Sequence, residues 1–217
     1  TTAGFSICSW THDGGNSTIG HGLGAIPQVV ITKERSNSGS WNSYFSAVGN
    51  AHRMVLQGTN AKISSSIWNS TTPTSTVFSM NDSITSTMIA YCFCEKKGYS
   101  KFGSYTGNGN ANGAFAYTGF RPAWLMIKRF DDTSDWSIYD IKRENFNDGD
   151  PQYEFDLQIE ANDGAAEGSD GQLGIYSNGF KFKSTDSFTN ASDGEYLFMA
   201  FAEDPFVNSN GVPTNAR

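Results

Sequence analysis

The sequence predicts an all-β protein made of two tandem, internally homologous β-sandwich units, jelly-roll or lectin-like in type, related by a 95-residue repeat. Three observations predict it: a composition that leans to strands, an internal repeat, and short apolar runs bounded by turn residues. Of 217 residues, 14% are aromatic and 23 are Gly, with Ser, Thr and Asn abundant and only 17% charged. A globular domain averages roughly 25% charged residues. Helical proteins lean on Ala, Leu, Glu, Lys and Arg, and this one does not. The length suits either one large sandwich or two domains of about 100 residues. The repeat decides for two.

Shifted by 95 residues, the chain aligns with itself without a gap from Ser9 to Tyr44. Ser9-Trp10-Thr11 falls on Ser104-Tyr105-Thr106, Gly14 on Gly109, His21 on Ala116, Gly24 on Gly119 and Pro27 on Pro122. Lys33, Trp41 and Tyr44 fall on Lys128, Trp136 and Tyr139. Farther on, Tyr91–Glu95 corresponds to Met199–Glu203, the second copy having gained thirteen residues. The expected division is unit one over 1–97, unit two over 98–205 and an extended arm over 206–217, rich in Asn, Pro and Gly.

Each unit reads as a series of strands. Phe5–Trp10 alternates apolar and polar residues, as a half-buried strand does. A Gly/Asn-rich loop follows, at 12–16 and again at 107–113. A Gly-x-x-Pro turn then leads into an apolar strand, Gln28–Lys33 or Ala123–Lys128. Pro at a strand entry forfeits no central ladder bond. Polar hairpin loops at 36–40 and 131–135 precede strands opened by Trp41 and Trp136. Both Trp positions are predicted to anchor a core, with a sugar-stacking platform as the alternative. Later strands are predicted at 53–57, 62–68, 76–80 and 87–95, then at 153–160, 173–176, 180–183 and 195–203. Asn178-Gly179 is a strong hairpin signal. Only 162–167 suggests a short turn of helix, inside a loop.

The motifs resemble a family of phage proteins. They are Ser104-Tyr105-Thr106-Gly107-Asn108-Gly109, Ile19-Gly20-His21-Gly22-Leu23-Gly24, and Gly119-Phe120-Arg121-Pro122-Ala123-Trp124. Near the end come Phe201-Ala202-Glu203-Asp204-Pro205-Phe206-Val207 and Ala216-Arg217. The likeness covers nearly the whole chain. It is similar to the two-copy β module in virion and tail-fibre proteins of marine phages of the cyanophage and pelagiphage type. The resemblance implies a virion location after synthesis in the bacterial host cytoplasm. It also implies other virion proteins and copies of itself as partners, in a trimer or larger symmetric assembly. It supplies no catalytic residues. Members of that family are often longer at the N-terminus, and with no initiator Met this sequence is expected to be a fragment, a processed chain or a protein whose Met is removed.

Charge and cysteines exclude several classes. A net charge of −7 and a pI near 4.9 argue against nucleic acid, which needs a basic stripe to neutralise phosphates. Lys96-Lys97 and Lys142-Arg143 are short solvated pairs. No apolar run of about 18 residues is present, so no membrane insertion is expected. Cys8, Cys92 and Cys94 form no disulfide framework. Cys92 and Cys94 lie two apart in a strand and share a face, which suits core packing better than a metal site without further ligands. No metal is expected at the cysteines. Asp148, Asp150, Asp156, Glu160, Asp163, Glu167 and Asp170 form an acidic stretch in unit two. It reads as a solvated loop, with Ca²⁺ the candidate cofactor and paired-carboxylate glycoside hydrolysis a remoter option. No G-x-S-x-G elbow accompanies His12, His21 or His52, so no nucleophilic triad is expected.

The functional expectation is therefore a non-enzymatic virion surface module, a tail fibre or capsid appendage, that attaches to the host by recognising a cell-surface glycan. A lectin-like module of cellular origin is the alternative, and a polysaccharide-degrading enzyme a more distant one. Loops at the ends of sandwiches carry binding residues on a rigid scaffold. On that ground the candidate ligand residues are Trp10, His12 and Asn16 in unit one, and Tyr105, Asn108, Asn110 and Tyr117 in unit two. Aromatic rings stack on sugar C–H faces and amides bond hydroxyls. Because Trp10 and Tyr105 align, a core role stands beside the binding one for both.

Overall fold

Many aromatic and β-branched residues with few helix formers make strands, and among the described residues there is no helix. The computed structural model describes residues 3–143, 154–155, 157–168 and 172–203. The chain divides into two compact units, Thr1–Glu95 and Lys96–Arg217. The expected arm at 206–217 lies outside the described residues.

Unit one holds β1 (Phe5–Gly20), β2 (Val29–Glu34), β3 (Asn42–Phe45), β4 (His52–Val55), β5 (Ile63–Ser64) and β6 (Val77–Phe93). They form one antiparallel sheet in the order β1-β6-β2-β3-β4-β5. The expected loop at 12–16 is instead strand. So is the expected gap between 80 and 87. β1 and β6 run as one ribbon from Phe5↔Phe93 to Gly20↔Val77. That ribbon cannot be straight. Trp10 and Ile19, the cross-strand partner of Phe78, would stand roughly 30 Å apart along a flat strand. Yet the Trp10 and Phe78 rings meet edge to face, with centroids 5.8 Å apart. The bend sits at a bulge between Asp13 and Gly15, where Gly14 and Gly15 take φ of 88° and 73°. A bulge leaves one residue unpaired and turns its strand, and glycine carries the positive φ without strain. Folding over brings Ile19, Phe78 and Met80 onto Val30, Tyr44, Met88, Ala90 and Cys92 in one core cluster.

Cys92 and Cys94 are both buried in that cluster, as their shared face predicts. The thiol contact is between Cys8 and Cys92. The hydrogen bond between them lowers the pKa of Cys8, and together with burial raises that of Cys92.

Unit two holds β7 (Ser100–Thr106), β8 (Ala116–Tyr117), β9 (Pro122–Arg129), β10 (Trp136–Asp140), β11 (Glu154–Phe155), β12 (Ile159–Glu160), β13 (Leu173–Tyr176), β14 (Gly179–Phe182) and β15 (Glu195–Ala202). A five-stranded sheet, β12-β10-β9-β15-β7, faces a four-stranded one, β11-β13-β14-β8. Leu125, Ile127, Tyr139, Phe198 and Ala200 of the first meet Leu173, Ile175, Phe180 and Phe182 of the second. The Asn178-Gly179 turn joins β13 to β14 as expected. Residues 162–167 contain no helix. Asn162 accepts the Trp136 N–H at 2.8 Å and donates to Asp135 Oδ1 at 2.7 Å, and an amide so engaged favours loop over helix.

Pairings in the two units follow one plan. Trp10↔Met88 has its counterpart in Tyr105↔Tyr196, Val29↔Phe93 in Trp124↔Phe201, and Val29↔Phe45 in Trp124↔Asp140. Side chains repeat as well. Lys33 Nζ donates to the next carbonyl, Glu34 O, at 2.7 Å, and Lys128 Nζ to Arg129 O at 2.6 Å. The Trp41 N–H bonds Gln57 Oε1 at 2.8 Å, as that of Trp136 bonds Asn162.

Strand registers correct the gapless alignment. Ile19↔Phe78 and Gly20↔Val77 correspond to Ala116↔Phe180 and Tyr117↔Gly179. His21 therefore matches Thr118, and Ala116 matches Ile19. The His21 N–H bonds Thr76 O and the Thr118 N–H bonds Asn178 O. Two residues on, the Leu23 N–H bonds His21 Nδ1, and the Phe120 N–H bonds Thr118 Oγ1. Unit two gains two residues before this segment and loses two after it.

Neither Trp41 nor Trp136 belongs to an inter-sheet core cluster. Trp136 is fully buried, but it alternates with Ser137 and Tyr139 and so lies on the other side of β10. Trp41 is half-buried and stacks on Tyr91 at 6.1 Å. The core Trp of unit one is Trp68, whose Nε1 donates to His52 O at 2.9 Å.

Lys128 is wholly buried beside the 131–135 loop, and burial pushes its pKa down to about 8 against the attraction of Asp135, Asp131 and Asp132. An unfolded lysine titrates near 10.4. Between those values the unfolded chain holds the extra proton, so stability rises with pH across that window. Tyr105 and Tyr196, held above their usual range, oppose the trend at higher pH, and Cys92, likewise raised, opposes it from about pH 8.5. Urea unfolding is expected to show the parent gaining stability relative to Lys128→Met from about pH 8 to about pH 9.5, the lysine's contribution being absent from the variant.

Candidate functional site

The loop from Gly107 to Gly113 is held by one buried side chain. Asn190 is 1% exposed and its Oδ1 accepts the Asn108 N–H at 3.0 Å. Its Nδ2 lies 2.8 Å from Asn110 O, 2.8 Å from Ser184 O and 3.1 Å from Asn108 Oδ1. The loop amides form their own series: Asn108 Oδ1 accepts the Asn110 N–H, and Asn110 Oδ1 accepts the Asn112 N–H. Asn suits such turns because its side chain bonds the backbone two residues on.

This loop delivers the chain into β8, where alternation sets Ala116 inward and Tyr117 outward. Phe115, two residues before Tyr117, faces outward with it. In the register of the sheet, Tyr117 lies opposite Gly179, and Gly179 opposite Tyr176. Phe115, Tyr117 and Tyr176 are 46%, 64% and 37% exposed. Phe115 meets Tyr176 edge to face at 5.8 Å. Gly179 is the floor of this group. A Cβ there would stand 2.5 Å from the Phe115 ring and 2.3 Å from Ala116 O, so only glycine lets the ring lie against the sheet. Lys181 Nζ lies 6.0 Å from the Tyr176 ring centre and donates to Asn112 Oδ1 at the rim. The result is an aromatic platform with an amide and an ammonium at its edge.

The expected ligand residues separate accordingly. Tyr117 is on the platform, and Asn108 and Asn110 are exposed in the loop beside it, with their side-chain oxygens committed to that loop's fold. Tyr105 is partly buried and packs against the core of unit two. Its hydroxyl donates to Thr189 O at 2.7 Å, its ring stacks on Tyr196 at 5.0 Å, and burial raises its pKa well above the usual range. Trp10 packs on the core of unit one. His12 is fully buried, with Nε2 donating to Asp82 O and Nδ1 accepting from Ser17 Oγ. The buried, saturated His12 imidazole cannot meet a ligand, and the partly buried rings of Trp10 and Tyr105 are engaged in packing. Asn16 is exposed on β1, opposite Asn81. Phe115, Asn112, Tyr176 and Lys181 were absent from the expected set. The period-two spacing of Phe115 and Tyr117 signals the first, and the tight Asn-Gly hairpin signals that Tyr176 faces Gly179.

Of the acidic stretch, Asp148, Asp150, Asp156 and Asp170 lie outside the described residues. Glu160 is raised by burial, and further by Asp135 and Asp163. Glu167 pairs with Arg143. Among the described residues no three His, Cys, Asp or Glu side chains converge.

Fold and platform together define an all-β protein with a preformed aromatic face in its second unit. The chain belongs to the family described as a domain of unknown function, DUF7483, whose model matches residues 1–205. No curated protein and no solved structure matches it.

Asn190→Ala would strip the loop of its anchor and leave buried groups without partners. Chemical denaturation is expected to show unit two less stable by about 2–3 kcal/mol. Amide exchange should accelerate at Asn108 and Asn110 while β1 and β6 keep their protection.

Proposed function

We propose that this chain is a non-enzymatic attachment module of a phage virion, in a tail fibre or capsid appendage, built from two divergent copies of one unit, and that it binds a glycan on the host surface. The observation that supports this reading is the exposed row Phe115, Tyr117 and Tyr176 on the glycine-floored face of β8, β14 and β13. Aromatic surface left in water costs solvation free energy, so a cluster of it marks a contact surface. A pyranose offers a flat C–H face to such rings, while its hydroxyls reach groups such as Asn112 and Lys181. The phage assignment rests on the motif resemblance. A lectin-like module of cellular origin would share the face and differ in setting.

Phe115→Ala with Tyr117→Ala removes two exposed rings and should leave the thermal melt unchanged. Host-cell adsorption and glycan-array binding by the full chain are both expected to fall at least about ten-fold, the loss of roughly 1.4 kcal/mol or more. Unchanged adsorption with a normal melt would falsify the assignment.

Single stacking sites bind weakly, and copies on one particle gain by avidity. We therefore also propose self-assembly as a trimer or larger symmetric array. Its support is the outward stripe of β1, where Phe5 and Ile7 are 37% and 56% exposed beside Phe93 and Tyr91. Light scattering should show an oligomer that Ile7→Lys converts to monomer. A strict monomer at high concentration rules the assembly out.

A further inference from the structure

Tyr176 of the platform lies over a second glycine. A Cβ on Gly174 would stand 2.9 Å from Tyr176 Oη and 3.1 Å from its ring, so the ring folds back along β13. Gly174 is the cross-strand partner of Lys181, and Lys181 Nζ therefore comes within 6.0 Å of the ring centre. Phe115, one residue before the Ala116↔Phe180 pair, is level with Lys181 on the other side. One ammonium N–H goes to the neutral Asn112 Oδ1, and the others stay available. Arg129, Lys142 and Arg143 of the same unit each lie against an acid. Lys181 pairs with none among the described residues. The acidic position in its own row, Glu154, is two strands away, opposite Gly174. In a chain with 22 acidic and 15 basic residues, an ammonium without a counter-ion on an aromatic face is an exception.

We infer that Lys181 selects an acidic glycan at the platform, a sugar bearing a carboxylate or sulfate group that it sets on the ammonium. The inference rests on the reading of the platform as a glycan site. A ligand anion there gains a charge-assisted bond, roughly twice as strong as one to a neutral hydroxyl. The net charge of −7 does not forbid this. At physiological salt, exposed charges farther than about 8 Å are largely screened, and the local ammonium decides. A lysine is a compact point charge without a planar fork, so it reads where the acid sits on the sugar and accepts either acid group. The selection belongs to unit two alone, since by strand register Lys181 matches Ser79 of unit one.

The test is calorimetric titration of the full chain, at low and physiological salt, with matched probes. These are trigalacturonate and its methyl ester, and sulfated and unsulfated galactotriose. At least one acid is expected to bind at least about five-fold more tightly than its neutral partner, and to lose that margin as salt is raised. The pair that shows the preference names the acid group. Lys181→Gln removes the charge and keeps a donor for Asn112. Asn112→Asp leaves the ammonium in place and gives it an internal counter-ion, which keeps the test valid if Lys181→Gln unfolds. Both are expected to abolish the preference. Equal binding of acid and neutral partner in both pairs, or an undiminished preference in a folded Lys181→Gln or Asn112→Asp chain, overturns the inference and leaves the platform standing. Binding of no probe overturns it as well, and host-cell adsorption by the Phe115→Ala, Tyr117→Ala chain then decides the platform separately.

Discussion

A two-stranded ribbon has an apolar face that it cannot bury alone, and this constraint organises unit one. β1 and β6 are long enough to cover themselves only if they bend. The bulge at Asp13–Gly15 lets them, placing Phe78 and Met80 over Val30 and Cys92. Unit two meets the same need differently. Its ribbon is interrupted by the 107–113 loop, and Asn190 replaces ladder bonds with side-chain ones. One continuous sheet and two separate sheets are thus alternative ways of closing similar layers. With the layers closed, the outward positions are fixed by alternation, and they are where function is proposed.

That difference separates the two units in what they expose. The row that carries Tyr117 and Gly179 in unit two carries Gly20 and Val77 in unit one. Val77 stands at the register position where Gly179 admits the Phe115 ring. Unit one instead has Arg53, bonded to Asn42, at the position where unit two has Gln158, bonded to Tyr139. Common pairings are thus accompanied by unlike surfaces in the two units.

Much of the fold was legible because it depends on local pattern. Alternation located β1's first half, apolar runs after a Gly-x-x-Pro turn located β2 and β9, and Asn178-Gly179 marked the hairpin of β13 and β14. The ribbon bend was not legible. A Gly/Asn run reads as a loop unless one knows that a partner strand continues past it, and Thr85 and Asp82 supply that partner from seventy residues away. The Trp positions misled for a related reason. A repeated Trp signals packing without saying on which side of the sheet, and Trp68 has no counterpart in the alignment to flag it. Among the candidate residues, Tyr117 was legible from its loop. The packing of Tyr105 and the burial of His12 could not be read from sequence, since they depend on Tyr196, Thr189 and Asp82, all distant in the chain.

The paired two-residue displacements around His21 and Thr118 have a practical consequence for chimaeras. The outer-layer segment of each unit behaves as a cassette whose two junctions carry opposite changes in length. Exchanging 11–26 for 106–121 preserves the chain length and the spatial frame at both ends. A cut placed inside, between Ile19 and Leu23, would import only one of the two changes. Every side chain downstream of it would then advance by two positions, keeping its face but missing its partners.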